Sequence, residues 1–209
     1  MSNLVDSHCH ISDRWYEPVD TLLFEMDRCG VGRAVLIQLL GGTDNSAMIA
    51  AAARHPDRFA WVGMIDPASP DWSEQFTQMI DARAAGLRMR AGWRSPGEEP
   101  LAMWRAIEAA GLAASLVGTA ASFADGQLEQ VARACPSLPL VLEHAGGLAR
   151  PDAGDRAVAL AGLLALRTQA NISIKLPGLG QLAPRNPSVD EGASPLDLAG
   201  IVDLVGTLI

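Results

Sequence analysis

Lysine is nearly missing from this chain: of 16 basic residues only Lys175 is one. Acidic residues number 24, and the resulting net charge of −8 argues against a general nucleic-acid binder, which needs a basic face. Cysteine is scarce as well. Cys9, Cys29 and Cys135 are odd in number and far apart, with no Cys-x-x-Cys pair. That excludes a disulfide framework and reads most simply as reduced thiols in a cytoplasm. Long hydrophobic runs are also lacking. The greasiest stretch, "AVALAGLLALR", falls short of the roughly 20 apolar residues a bilayer span requires. No signal-peptide pattern opens the chain, so no membrane partner is expected.

What is present suits a globular protein. The 209 residues are 49% hydrophobic and 19% charged, enough for one full core in a single domain over residues 1–209. Short apolar runs alternate with helical patterns. "LVDSHCHI" (4–11), "RAVLIQLL" (33–40), "FAWVGMID" (59–66), "AGLRMR" (85–90), "LAASLVG" (112–118), "LPLVLEHAG" (138–146) and "NISIKLPG" (171–178) read as strands. Helices are expected at 17–30, 44–56 and near 70–84, 99–110, 124–134, 155–168 and 195–208.

Seven strand–helix units imply parallel pairing with right-handed crossovers. An open doubly wound sheet would usually carry a glycine-rich loop after its first strand. Here that strand ends in "HCHIS". The pattern therefore predicts an α/β fold of the (β/α)8 TIM-barrel type. It also reads as incomplete, with the eighth strand absent, because such barrels typically run to about 250 residues. An open seven-stranded arrangement, or a strand borrowed from a second copy in a homo-oligomer, is the alternative.

Barrel chemistry sits at the C-terminal strand ends, and side chains alternate along a strand. Asp6, His8 and His10 are expected on one face of the first strand. Two imidazoles so spaced can share one metal ion or one substrate oxygen. His144 ends the sixth strand in "VLEHAGG", with Leu140 and Leu142 expected on its face. Arg88 and Arg90 share a face of the fourth strand. One is expected to pair with Asp6, Asp66 or Glu143, and the other to grip a substrate carboxylate through its guanidinium fork. Lys175 and Gln38, near the ends of strands 7 and 2, complete the expected substrate-binding set, with a buried salt bridge as the other reading of Lys175. Arg94 is expected to be solvated. His55, before Pro56, is assigned to a helix end.

Taken together, "DSHCH", "GVGRAVLIQ", "GLRMR", "LVLEHAGG" and "ISIKLPGLG" resemble the amidohydrolase-related family of (β/α)8-barrel hydrolases and decarboxylases, most closely its lactonase branch. The resemblance runs over nearly the whole chain. It implies that His8, His10 and His144 are catalytic and that the strand 4 arginines hold a substrate carboxylate. It further implies that His8 and His10 would ligate one divalent metal, zinc or manganese, where a metal is used; some lactonases of this branch work without one. Two departures stand out. The metal-binding members often carry a histidine ending strand 5, where this chain has Gly118, Thr119 and Ser122. The family's Asp after strand 8, which activates water or binds metal, is not found, so this chain alone is expected to be inactive or impaired.

The expected activity of the complete protein is hydrolysis of a small carboxylated or sugar-derived lactone, an anionic substrate. The alternatives are metal-dependent, non-oxidative decarboxylation of an aromatic or unsaturated acid, and an inactive barrel fragment that only binds or oligomerises.

Overall fold

A computed structural model describes residues 4–14, 16–148 and 155–176, together with Val202 and Gly206. Its elements alternate strictly at first: β1 (Leu4–Cys9), α1 (Val19–Arg28), β2 (Val31–Ile37), α2 (Ser46–Arg54), β3 (Phe59–Gly63), α3 (Trp72–Asp81), β4 (Gly86–Met89), α4 (Ala102–Ala109) and β5 (Ala113–Leu116). Two helices follow, α5 (Ala120–Phe123) and α6 (Gln127–Ala134), and then β6 (Leu140–Leu142), α7 (Arg156–Ala165) and β7 (Ile172–Ile174). The helix expected near 195–208 lies outside the described residues, apart from Val202 and Gly206.

The strands form one parallel sheet in the order β1-β2-β3-β4-β5-β6-β7. This is the TIM-barrel type of α/β architecture, curled, and seven strands long among the described residues. The alternation of side chains sorts its residues between a helix-covered face and the lumen. Leu36, Trp61, Leu87, Leu116 and Leu142 share one core with helix residues such as Met48, Phe76, Trp104, Val131 and Leu163. They are the outward-facing set, sealed beneath the helices. Residues one position away face the lumen. Register pairs Arg88 with Ser115, Ser115 with Val141, and Val141 with Ser173, so these four form one lateral row. The next inward positions, Glu143 and Lys175, lie one layer higher, just past the ends of the adjacent strands β6 and β7.

Local chemistry explains the element ends. Asp155 accepts from the backbone N–H groups of Ala157 and Val158 and starts α7. Helix α1 has Asp20 in its first turn and Arg28 in its last, matching the helix dipole. Helix α5 is an element the hydrophobic pattern did not predict. With only four residues it is too short for a helical stripe, and a reciprocal cap between Thr119 and Ser122 creates it. Among the described residues no helix is long and apolar enough to cross a membrane.

Candidate active site

Strand β1 delivers the histidine pair through an irregularity. Asp6 pairs with Ala34 and Cys9 with Leu36, so three steps on β1 oppose two on β2. The expected common face of Asp6, His8 and His10 is broken here. Asp6 is exposed and accepts the His8 backbone N–H at 2.9 Å. His8 and His10 nevertheless converge, with Nε2 to Nε2 at 3.2 Å and ring planes perpendicular.

Each ring is held from behind through its Nδ1. His10 Nδ1 lies 2.6 Å from the Ile37 carbonyl, which can only accept, so Nδ1 carries the proton. Burial lowers the His10 pKa to about 4; the Ile37 bond opposes this, and the charges of His8 and Arg88 reinforce it. His10 is thus neutral at pH 7, with a lone pair on Nε2. His8 Nδ1 lies 2.8 Å from Glu143 Oε2.

Glu143 is 1% exposed. Burial pushes its carboxyl upward, but the bond and charge of His8, the charge of Lys175 and the Ser115 hydroxyl together outweigh burial and bring the pKa to about 2. Ser115 Oγ donates to Oε1 at 2.6 Å and Lys175 Nζ reaches the same oxygen at 3.0 Å. The row described above explains this pairing, because Glu143 and Lys175 are lateral neighbours. Lys175 also donates to the Ser7 carbonyl at 2.7 Å, tying the end of β7 to β1. Lys175 is therefore engaged in the ion pair that its sequence context allowed.

His144 joins the group by another route than the one expected. Leu140 and Leu142 belong to the helix-facing core, so the inward continuation of β6 is Glu143. His144 instead turns through a left-handed backbone (φ 56°, ψ 50°), which brings its ring centroid to 5.2 Å from that of His8. The turn after it packs tightly. Gly147 has φ +80°, and a Cβ there would stand 2.7 Å from the Gly118 carbonyl. The residues in place of a strand 5 histidine, Gly118, Thr119 and Ser122, are thus occupied in this packing and in capping α5.

Of the arginines, Arg88 is 4% exposed and Arg90 is exposed at the end of β4. Arg88 Nη1 donates to the Gln38 carbonyl, and its Nε has no partner among the described residues. Burial lowers the Arg88 pKa from its usual value, against the favourable charge of Glu143. Neither Asp6 nor Asp66 pairs with it: Asp6 turns to its own strand, and Asp66 is exposed and caps Ala68. The Gln38 side chain is directed to its own loop, bonding the Asp44 carbonyl at 2.7 Å, Asn45 at 3.2 Å and the Leu39 N–H at 2.8 Å. Arg94 is half-buried rather than solvated. It braces the β4–α4 loop through the carbonyls of Ala91 and Trp93. His55 ends α2, its backbone N–H bonded to Ala51, away from the cluster.

Two groups escaped the sequence reading. Glu143 was weighed there only as a partner for arginine, although its two-residue offset from Val141 marks it as inward-facing. Tyr16, from the β1–α1 loop, stacks tilted against His10 with centroids 4.7 Å apart. It is half exposed and stands at the mouth; no local pattern distinguishes it from a surface tyrosine.

Metal fit is partial. Two imidazole nitrogens bound to one tetrahedral zinc at about 2.0–2.1 Å would lie roughly 3.3 Å apart, close to the observed pair. His8 and His10 thus suit two coordination positions. Among the described residues no group of three His, Cys, Asp or Glu side chains is arranged to hold a metal.

A curled parallel sheet of the TIM-barrel type, with histidines, a carboxylate and a buried arginine near its C-terminal strand ends, places these groups where (β/α)-barrel enzymes carry their chemistry. The amidohydrolase sequence profile matches residues 5–206, and the chain belongs to that family. No curated protein matches the sequence.

Solved structures share the fold. A probable 2-pyrone-4,6-dicarboxylic acid hydrolase from Acinetobacter baumannii, with citric acid bound, superposes with a TM-score of 0.72 at 19% identity, over 98% of this chain and 78% of its own. A zinc-bound amidohydrolase from Burkholderia multivorans gives 0.72 at 21% identity, with the same coverages of 98% and 78%. A manganese-bound dihydroxybenzoic acid decarboxylase from Polaromonas gives 0.61 at 11% identity, over 100% and 83%.

Proposed function

We propose that this protein hydrolyses a small carboxylated lactone. The observation that carries the reading is the placement of a buried arginine, its Nε unpartnered among the described residues, beside two converging histidines. Arg88 lies close enough to His10 for its charge to depress the His10 pKa. A guanidinium kept this dry is costly unless an anion completes its hydrogen bonds. A substrate carboxylate would do so, leaving the ester carbonyl of the same molecule near the histidines. The exposed Arg90 would draw anions to the mouth.

In the reaction, water adds to the lactone carbonyl and the ring C–O bond breaks, giving a carboxylate, a hydroxyl and a proton. Arg88 orients the substrate. Glu143 holds the His8 ring from behind, and the Ile37 carbonyl does the same for His10. Their Nε2 atoms stand 3.2 Å apart, so His8 and His10 are the residues that would hold a cation near the developing oxyanion. A divalent metal bound by His8 and His10 would supply Lewis acidity at that point. That a probable 2-pyrone-4,6-dicarboxylic acid hydrolase shares the fold supports the substrate class.

The test is turnover of a panel of carboxylated lactones, pyrone dicarboxylates included, by the purified protein with and without added zinc or manganese. Ring opening with acid release supports the reading. Carbon dioxide release from hydroxybenzoates, with no lactone opened, overturns it in favour of decarboxylation.

A further inference from the structure

One polar cluster, with Ser115 and Glu143 buried at its centre, draws on four strand ends: Ser7 and His8 from β1, Ser115 from β5, Glu143 after β6 and Lys175 after β7. Within it the donors are ordered. Lys175 and Ser115 both take Oε1 of Glu143, which, among the described residues, leaves Oε2 to the His8 Nδ1. An ionised carboxylate only accepts, so the ring nitrogen facing it must carry the proton.

We infer that Glu143 is a positioning residue that keeps the neutral His8 ring in its Nδ1-protonated tautomer, so that Nε2 of His8 does not donate to Nε2 of His10 across their 3.2 Å contact. This rests on the reading of His8 and His10 as the reacting centre. Consider the pair without Glu143. His10 has its proton on Nδ1, fixed by Ile37, and offers a lone pair at Nε2. At the observed 3.2 Å, the comfortable state for His8 would be the other tautomer, donating from Nε2 to that lone pair. The pair would then be self-satisfied and closed to any electrophile. Glu143 forbids this, because a lone pair on Nδ1 would face its charge at 2.8 Å. With Nδ1 protonated and the ring neutral, the Nε2 lone pairs of His8 and His10, 3.2 Å apart, remain available to a cation.

Lys175 makes the arrangement affordable. It supplies the opposite charge a buried carboxylate needs, and its bond to the Ser7 carbonyl, next to His8, holds the ends of β1 and β7 in fixed relation. Ser115 completes the coordination of Oε1.

The experiment is ¹⁵N NMR of the histidine rings in chelator-treated protein at one neutral pH, which reports the tautomer with no reference to activity. In the wild type, His8 is expected with a protonated Nδ1 and a bare Nε2. In E143Q, the amide keeps its oxygen for Lys175 and Ser115 and turns its NH₂ toward His8. The two His8 ring-nitrogen shifts are then expected to exchange places, as Nε2 becomes the donor to His10. A wild-type His8 protonated on Nε2 overturns the inference, as does an E143Q spectrum identical to wild type. The wild-type spectrum needs no substitution, so it decides even where E143Q does not fold. Absence of lactone hydrolysis leaves the tautomer unmoved, so failure of the functional reading is distinguishable from failure of this one.

Discussion

His8 Nδ1 and Glu143 Oε2 meet at 2.8 Å although 135 positions separate them. The contact joins the first strand to the loop after the sixth, across the lumen. It is the hinge of the site's electrostatics, because Lys175, Ser115 and His8 all spend donors on this one carboxylate.

The first prediction concerns that carboxylate. E143A leaves Lys175 without its counter-ion and the His8 N–H without its acceptor, and stability should fall by about 3–5 kcal/mol, the usual cost of removing one partner from a buried pair. The double variant E143L/K175M removes both charges and should lose less than the sum of the single variants. Urea midpoints with unchanged slopes give these values; strict additivity would show that the two charges do not interact.

Acid should destabilise the fold in two overlapping stages. His10 has a folded pKa of about 4 against an ordinary value of 6.5. The unfolded chain therefore binds its proton first, and stability drains away as pH falls from 6.5 toward 4. Glu143 follows the same sign lower down: its folded pKa of about 2 lies below the ordinary 4.5, so its contribution is full above 4.5 and is lost as pH falls toward 2. Urea midpoints measured from pH 8 to pH 3 should decline monotonically, and H10Q should flatten the upper stage. A midpoint that rises on acidification contradicts both assignments.

Substrate binding should divide the two arginines. R88M removes the buried guanidinium, and kcat/KM for carboxylated lactones should drop about 10- to 100-fold, as expected for charged hydrogen bonds worth about 1.5–3 kcal/mol. Neutral lactones should be affected less. R90A should weaken capture only a few-fold, and that loss should shrink at high salt because the residue is exposed. Equal losses for charged and neutral substrates would remove Arg88 from carboxylate binding.

Gln38 should behave as a structural residue. Its amide is consumed by Asp44, Asn45 and Leu39, while Arg88 uses only its backbone carbonyl. Q38A is expected to lower stability by about 1 kcal/mol per net hydrogen bond lost, with KM essentially unchanged. A large rise in KM at intact stability would return the side chain to the substrate pocket.

Much of the architecture was legible in the primary structure because the rules behind it are local. Continuous apolar runs such as "RAVLIQLL" mark strands buried under helices, and periodic stripes between them mark the helices. Alternation then places Arg88 and Ser115 in the lumen. The same rules failed where the backbone leaves the strand. The irregularity in β1 turned Asp6 away from the histidines, and the left-handed turn at residue 144 replaced strand alternation by a loop. Helix α5 was missed because four residues hold no period.

The amino-acid sequence by itself determined the order of strand and helix, the gathering of His8, His10, His144, Arg88 and Lys175 at strand ends, and the family. Each follows from periodicity, charge and motif, which are properties of neighbouring residues. Tertiary structure alone decided how those groups are paired. Lateral register set Lys175 beside Glu143, sheet curvature carried His8 across the lumen to the same carboxylate, and the Ile37 carbonyl chose the His10 tautomer. Contacts between residues more than a hundred positions apart are fixed by register and curvature, and no local pattern encodes either.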